Sequence, residues 1–167
     1  MLTERFSQAI TLAIEAHTNQ KRKGTEIPYI SHPLGVASIA LEYGADEDQA
    51  MAALLHDAIE DGGQEYAQRI RLQFGDRVAN IVEGCTDGVP NANGEKEAWK
   101  PRKERYLDHL KHASEDVLLV SGSDKLHNAR AIVDDLVRIG PAVFDRFTAS
   151  QEQTLWYYDS LSKIFTE

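Results

Sequence analysis

The sequence predicts an all-α protein with a single domain over residues 1–167. Apolar residues recur every three or four positions through most of the chain, as on one face of a helix, and the strict alternation of a half-buried strand is missing. Proline and glycine interrupt this period at short intervals, which divides the chain into helices of ordinary length. With 167 residues, 42% of them hydrophobic, the chain is long enough to bury one core.

The predicted boundaries of the first three helices are marked by capping residues, proline and glycine. Threonine and aspartate favour the N-cap, proline favours the first turn, and glycine favours the C-terminal end. These residues are Thr3 before the first helix, Pro33 and Gly44 in the second, and Asp46 or Asp48 and then Gly62-Gly63 around the third. Because the third helix is apolar on most sides, we expect it to be central and buried.

The rest of the chain is also predicted to be helical, with one clear loop. The helices are expected around residues 66–74 and 76–86, from Pro101 to about Ala113, over 115–139 with a kink at Gly122, around 143–147, and from the cap Ser150 to the end. Residues 87–97 contain several glycine, proline and asparagine residues, which predicts a loop that could fold over a site.

Charge and composition restrict the partners that the protein can have. The formal net charge is −9, which opposes a nucleic-acid partner because such a surface needs an excess of lysine and arginine. No apolar run approaches the roughly 20 residues that cross a bilayer. The single cysteine, Cys85, excludes an intramolecular disulfide and fits a reducing compartment, so we expect a cytoplasmic protein without a membrane partner. Its helical spacing from apolar neighbours predicts a buried, inert thiol.

The third helix ends in an unusual group of ionisable residues. At about 100° per residue, the four side chains lie within roughly 140° of the helix surface: His56, Asp57, Glu60 and Asp61. Burying three carboxylates together costs several kcal/mol unless a cation compensates them. The alternative is a helix end that reaches solvent, but carboxylates are unfavourable at the negative end of the helix dipole. We therefore favour a metal site.

Such a site needs ligands from other parts of the chain. His32 is one candidate because the following Pro33 places it at a helix start. Asp124 is the other, since it is an acid inside an apolar helical stretch, although a salt-bridged carboxylate is the alternative interpretation. Two imidazoles and two carboxylates form a mixed nitrogen and oxygen site that suits Mn²⁺, Fe²⁺ or Zn²⁺ and leaves room for water and substrate.

Four segments, taken together and in order, resemble the HD phosphohydrolase superfamily. The likeness is greatest to the hydrolase domain of the RelA/SpoT alarmone enzymes and to the small alarmone hydrolases. The segments are residues 19–23 (NQKRK), 28–33 (PYISHP), 53–61 (ALLHDAIED) and 123–130 (SDKLHNAR). The resemblance implies a single compact multi-helix HD-domain bundle. The turn over residues 24–27, between the first two segments, is longer here than is usual in the family.

The resemblance also implies a reaction and roles for individual residues. The family removes the 3′-pyrophosphate of guanosine 3′,5′-bispyrophosphate (ppGpp), which gives GDP and pyrophosphate. By this likeness, one Mn²⁺ or another divalent transition metal is held by His32, His56, Asp57 and Asp124. Glu60 and Asp61 match the catalytic acidic pair that orients and deprotonates water. Arg22 and Lys23 match the pair that packs on the nucleobase, and Asn128 matches a nucleotide contact or is an exposed polar residue.

Other residues and functions stay open at this stage. We expect His17 to be a hydrogen-bonded core histidine and His109, His112 and His127 to be peripheral. Arg102 and Lys103 either meet phosphates near a helix start or lie on a solvated surface. Trp156-Tyr157-Tyr158 could border a nucleotide, pack in the core or form a contact within a homo-oligomer. Alternative functions are hydrolysis of ppApp, the 2′-phosphate of NADPH or nucleoside monophosphates, and nucleotide sensing without catalysis.

Overall fold

The computed structural model describes residues 1–88, 93, 95 and 97–166, and helices make up most of this part of the chain. The α-helices are α1 (Glu4–Ala16), α2 (Ser31–Glu42), α3 (Glu47–Leu55), α4 (Ala58–Gly62), α5 (Gln64–Phe74), α6 (Asp76–Cys85), α7 (Trp99–Leu110), α8 (Glu115–Ile139) and α9 (Gln151–Thr166). A 3₁₀ helix spans Gly140–Arg146. The predicted all-α fold is therefore confirmed. The predicted loop over residues 87–97 lies largely outside the described residues.

Side-chain caps define several helix starts, as the sequence predicted. The Thr3 hydroxyl accepts a hydrogen bond from the amide of Arg5 at the start of α1. Of the two candidate caps for α3, Asp46 is the one used, and it forms a reciprocal capping box with Gln49. Ser150 and Gln153 form the same kind of reciprocal pair at the start of α9. These caps satisfy amide groups that have no partner inside the helix.

Helix α3 forms the centre of the core. Residues 50–55 are inaccessible to solvent, and α3 packs against α1, α2, α6 and α8. Its neighbours α2 and α8 also contact each other, and they approach closely where Gly35 faces His127. A Cβ atom at Gly35 would lie 2.2 Å from Nε2 of His127, so glycine is required for this approach. No helix in the described part of the chain is long and apolar enough to span a membrane.

The prediction of one helix from Asp46 to Gly62 was wrong. Helix α3 ends at Leu55, α4 begins at Ala58, and His56-Asp57 lie between them. Both residues keep backbone angles in the right-handed helical region, but ψ of Asp57 is −4°, which breaks the regular helix. Because the helix is interrupted here, the directions of neighbouring side chains no longer follow the 100° rule on which the prediction relied.

Candidate metal centre and substrate cleft

Two helices and the junction between two others bring the predicted metal ligands together. His32 lies in the first turn of α2, His56 and Asp57 lie at the α3–α4 junction, and Asp124 lies in the middle of α8. Ligand atoms of His32, His56 and Asp124 all lie within 4.8 Å of one another, and all three residues are buried. The Oδ2 atom of Asp57 lies 2.9 Å from Nε2 of His56 and 3.6 Å from Nε2 of His32.

The hydrogen bonds of the two histidines orient their Nε2 atoms toward this centre. His56 Nδ1 lies 2.8 Å from the Ala53 carbonyl oxygen, which can only accept, so Nδ1 carries the proton. His32 Nδ1 lies 2.8 Å from Nδ1 of His127. Burial, together with His32 and Arg22, lowers the pKa of His127 to about 4, so a neutral His127 can accept from Nδ1–H of His32. In both candidate ligands Nε2 then faces the centre.

This donor set fits a divalent cation. Nε2 of His56 is buried and has no hydrogen-bond partner among the residues that the structure describes, although carboxylate oxygens lie close to it. Burial opposes protonation of His56, but Asp57 and Asp124 raise its pKa well above its ordinary value, so the site attracts positive charge. Burial also opposes ionisation of Asp124, but Lys125 and the imidazoles hold its pKa well below the ordinary range. Nitrogen and oxygen ligands of this kind suit transition metals.

Side chains around the candidate metal ligands hold the carboxylates of Asp57 and Asp124 in place. The Tyr29 hydroxyl donates a hydrogen bond of 2.7 Å to Oδ2 of Asp57. The Asn128 amide donates one of 2.7 Å to Oδ1 of Asp124, and Lys125 donates to its Oδ2. Outer-shell contacts of this kind fix the orientation of ligands around a metal.

The two predicted catalytic acids lie on different sides of α4. Glu60 lines a cleft that also reaches Asp57 and Asp124, and its Oε1 lies 3.9 Å from Nη1 of Arg102. Asp61 is not among the residues that line this cleft in the described part of the chain. Its Oδ2 accepts a hydrogen bond of 2.9 Å from Nε2 of Gln20, and Oε1 of Gln20 lies 2.7 Å from Nδ1 of buried His17. The structure thus separates the acidic pair.

The cleft has a volume of about 700 Å³ and is large enough for a nucleotide. Arg22 and Lys23 line one side of it, together with Asn128. The Nη2 atom of Arg22 donates a hydrogen bond of 2.8 Å to the Asn128 side-chain oxygen. This bond joins the α1–α2 loop to α8 and brings two of the three predicted substrate-binding residues together. The longer turn after Lys23 is closed by a hydrogen bond of 2.9 Å from the Arg22 amide to the Ile27 carbonyl.

Several predictions about single residues can be compared with this geometry. His17 is a buried, hydrogen-bonded histidine as predicted, and the Cys85 thiol is buried, with its pKa raised by that burial. The placement of His127 at the periphery was wrong, since it contacts His32 and lines the cleft. The sequence signal for His127 was its position three residues after Asp124, which places both on one face of α8.

Other cleft residues gave weaker signals in the sequence. Arg102 and Lys103 are largely buried and line the cleft, so the solvated-surface alternative was wrong. Tyr157 and Tyr158 also line the cleft, whereas Trp156 packs against Trp99. Four contacts in this region were not predicted from the sequence: Gln20 with Asp61, Tyr29 with Asp57, Lys103 with Asp87, and Lys125 with Asp124.

Comparison with known proteins agrees with this arrangement. The HD domain family matches residues 9–153. Guanosine-3′,5′-bis(diphosphate) 3′-pyrophosphohydrolase MESH1 of Xenopus tropicalis is 42% identical over 137 residues, which cover 80% of this chain and 70% of that protein. Guanosine-3′,5′-bis(diphosphate) 3′-pyrophosphohydrolase of Aquifex aeolicus is 39% identical over 131 residues, which cover 77% of this chain and 18% of that longer protein.

Solved structures show the same fold. A metazoan orthologue of SpoT that hydrolyses ppGpp superposes with a TM-score of 0.76 over 98% of this chain and 85% of its own, at 24% identity. A Listeria monocytogenes protein gives a TM-score of 0.70 at 29% identity, over 80% of this chain and 82% of its own. An all-helical bundle with a His-Asp pair at its centre defines the HD-domain class. The chain belongs to the HD-domain family and, within it, to the RelA/SpoT-like hydrolases.

Proposed function

We propose that this protein is a metal-dependent hydrolase that removes the 3′-pyrophosphate of ppGpp and releases GDP and pyrophosphate. The observation that carries the proposal is the buried group of His32, His56 and Asp124 beside a cleft lined with cationic side chains. The names of relatives with up to 42% identity support the choice of ppGpp as the substrate. We expect a small-molecule nucleotide substrate and a cytoplasmic site of action.

We assign the metal to His32, His56, Asp57 and Asp124, with Mn²⁺ as the expected ion. When bound, a divalent cation supplies Lewis-acid chemistry, because it polarises a phosphoryl oxygen and makes water more acidic. The chain contributes the orientation of the ligands. His127 and the Ala53 carbonyl fix the two imidazoles, and Tyr29 fixes Asp57.

We assign the role of general base to Glu60, which faces the cleft. In the proposed step a water oxygen forms a bond to the 3′-phosphorus and the bond from that phosphorus to the ribose 3′-oxygen breaks. The proton of the water passes to a carboxylate oxygen of Glu60, and the leaving 3′-oxygen takes up a proton from solvent. Asp61 acts from the other side of α4, where its hydrogen bond to Gln20 anchors the segment that leads to Arg22.

We assign the recognition of the nucleoside to Arg22, Lys23 and Asn128. The planar guanidinium of Arg22 can stack on a purine while Nη2 stays hydrogen-bonded to Asn128. Because Asn128 also binds Asp124, the nucleoside side of the cleft is connected directly to the metal centre. The 3′-position of a nucleotide held there would face the predicted ion.

A substrate panel tests the proposal. The protein is incubated with Mn²⁺ and ppGpp, pppGpp, ppApp, NADPH or mononucleotides, and the products are separated by ion exchange. We expect GDP and pyrophosphate from ppGpp. Turnover of only a phosphomonoester, or binding of ppGpp without turnover, would refute the assignment in favour of another phosphohydrolase or of a sensor.

Variants test the individual roles. Replacing Glu60→Gln should lower kcat by at least about 100-fold, the usual size of a general-base contribution, while Mn²⁺ content stays unchanged. Glu65→Gln is the matched control, because Glu65 is an exposed acid on the next helix. Asp124→Asn should instead lose the metal, as measured by elemental analysis. Full metal occupancy in Asp124→Asn would remove this residue from the ligand set.

A further inference from the structure

A second cationic region, apart from Arg22 and Lys23, lines the same cleft. We call it the α7 cluster and define it as Arg102 and Lys103 with the acid between them, Asp87. The carboxylate of Asp87 accepts hydrogen bonds from Nη1 of Arg102 and from Nζ of Lys103. All three side chains are largely buried, with 11%, 15% and 4% of their surface exposed for Arg102, Lys103 and Asp87. Two cations therefore share the carboxylate of Asp87, and the carboxylate of Glu60 lies 3.9 Å from Nη1 of Arg102.

The α7 cluster contains polar atoms that lack a partner. Within the described part of the chain, Nε of Arg102 is buried and has no hydrogen-bond partner, and the same is true of the hydroxyl of neighbouring Tyr157. Tyr157 is only 6% exposed, lines the cleft, and carries its ring 5.0 Å from Nζ of Lys103. Buried polar groups are normally hydrogen-bonded, so two unpartnered donors beside two cations indicate a missing acceptor. Burial and nearby Lys125 also lower the pKa of Lys103, which an anion would counteract.

The two carboxylate oxygens of Asp124 are linked to different parts of the cleft. One of them, Oδ1, accepts from Asn128, which is bonded to Arg22. The other, Oδ2, accepts from Lys125, whose Nζ lies 5.1 Å from the centroid of the Tyr106 ring on α7. The cluster also approaches the proposed base, because Nη1 of Arg102 lies 3.9 Å from Oε1 of Glu60. The candidate metal ligand Asp124 is thus linked through Asn128 to Arg22, and the proposed base Glu60 lies beside Arg102.

We propose that the α7 cluster is a subsite for a pyrophosphate group, which holds the terminal phosphate of the 3′-pyrophosphate before cleavage and free pyrophosphate afterwards. This inference rests on the proposed function. Arginine can donate from Nε and an Nη atom to two oxygens of one phosphate, and Tyr157 supplies a further donor. Asp87 holds the two cations when the subsite is free and competes with the anion. That competition weakens pyrophosphate binding and favours release of the product.

Product inhibition tests this proposal. The inhibition constant (Ki) of inorganic pyrophosphate against ppGpp is measured at constant free Mn²⁺, and direct binding of pyrophosphate is measured by calorimetry at the same free Mn²⁺. Arg102→Met should raise both Ki and Kd by at least about tenfold, the effect of losing one charge-assisted contact. Orthophosphate, measured in parallel, should bind more weakly and respond less. Arg105→Met is the matched control, since Arg105 lies exposed on the same helix.

The Asp87→Asn variant gives the sharper result. If Asp87 competes with the anion, Asp87→Asn should lower Ki and Kd for pyrophosphate several-fold, whereas a purely structural cluster predicts no gain in affinity. If Arg102→Met does not fold, Arg102→Lys keeps a charge beside Asp87 but lacks Nε, and it should still weaken binding. Equal Ki and Kd values for pyrophosphate in Arg102→Met and Arg105→Met would refute the subsite. A higher Kd for pyrophosphate in Asp87→Asn would refute it as well. Absence of ppGpp turnover by the unmodified protein would instead refute the proposed function.

Discussion

Replacing Tyr29→Phe isolates one outer-shell contact of the metal centre. The change removes the hydroxyl that donates a hydrogen bond of 2.7 Å to Oδ2 of Asp57. The aromatic ring can keep its position, with its centroid 4.8 Å from the centroid of the His17 ring. Burial and, to a smaller extent, the negative charge of Asp57 raise the pKa of Tyr29. The hydroxyl therefore stays protonated and keeps donating at any working pH. A hydrogen bond to a charged group contributes about 1.5–3 kcal/mol. Since 1.4 kcal/mol is a factor of ten, Mn²⁺ affinity should fall roughly 10- to 100-fold.

The assay is competition for Mn²⁺ against a chelator of known affinity, followed by kcat at saturating Mn²⁺. We expect the loss to appear mainly in metal affinity, because saturating metal can restore the ligand geometry. Tyr43→Phe is the control, since Tyr43 is 68% exposed and ends α2 away from the centre. If Tyr29→Phe and Tyr43→Phe bind Mn²⁺ equally well, Asp57 is not held as a ligand in the way proposed here.

Three further predictions concern the Gln20–Asp61 contact, stabilisation by Mn²⁺ and the ion pairs of Arg77. Gln20→Leu should lower kcat/KM about tenfold with little change in Tm, because it removes the hydrogen bond to Asp61 that anchors the segment leading to Arg22; a parallel fall in Tm would point to a structural role. Adding Mn²⁺ at 100 times its Kd should stabilise the protein by about 2.7 kcal/mol and raise Tm by roughly 5–10 °C, and Asp124→Asn should show no such shift. Arg77→Met should cost about 1 kcal/mol at pH 7, because hydrogen bonds to Arg77 lower the pKa of Asp116. That stabilisation is present above the ordinary carboxyl pKa and is lost as pH falls through the lowered value, so urea unfolding at pH 3 should show a smaller difference; an equal loss at both pH values would contradict the assignment.

The helices could be predicted because their ends are encoded locally. Asp46 with Gln49, and Ser150 with Gln153, satisfy amide groups within four residues of each helix start, so the sequence contains the whole interaction. The break between α3 and α4 has no such signal, since the sequence across it contains neither proline nor glycine. Its cause lies in tertiary contacts, in which His56 and Asp57 are held by residues from α2, α8 and the α1–α2 loop.

The metal ligands could be proposed from the sequence because they are ionisable residues in apolar surroundings. Several other contacts of the site could not be proposed, because the two partners lie far apart along the chain. Gln20 and Asp61 are 41 residues apart, His32 and His127 are 95 apart, and Arg22 and Asn128 are 106 apart. No periodicity reports contacts at such separations. For this reason the two acids of α4 looked equivalent in the sequence, although they face different neighbours in the fold.

The position of Asp124 explains how one short site can distinguish two ends of a substrate. Its two carboxylate oxygens are held by different residues of α8, Lys125 and Asn128, which lie three positions apart; Asn128 is bonded to Arg22, and Lys125 lies against Tyr106 of α7. If one anionic group of the substrate binds near Arg22 and another near Arg102, we expect the phosphorus that is attacked to lie near Asp124. The orientation of the substrate then depends on which flank offers stacking and which offers unpartnered donors. On the proposed assignments Arg22 supplies the first, and Arg102 with Tyr157 supplies the second, so we expect the pyrophosphate to point toward α7.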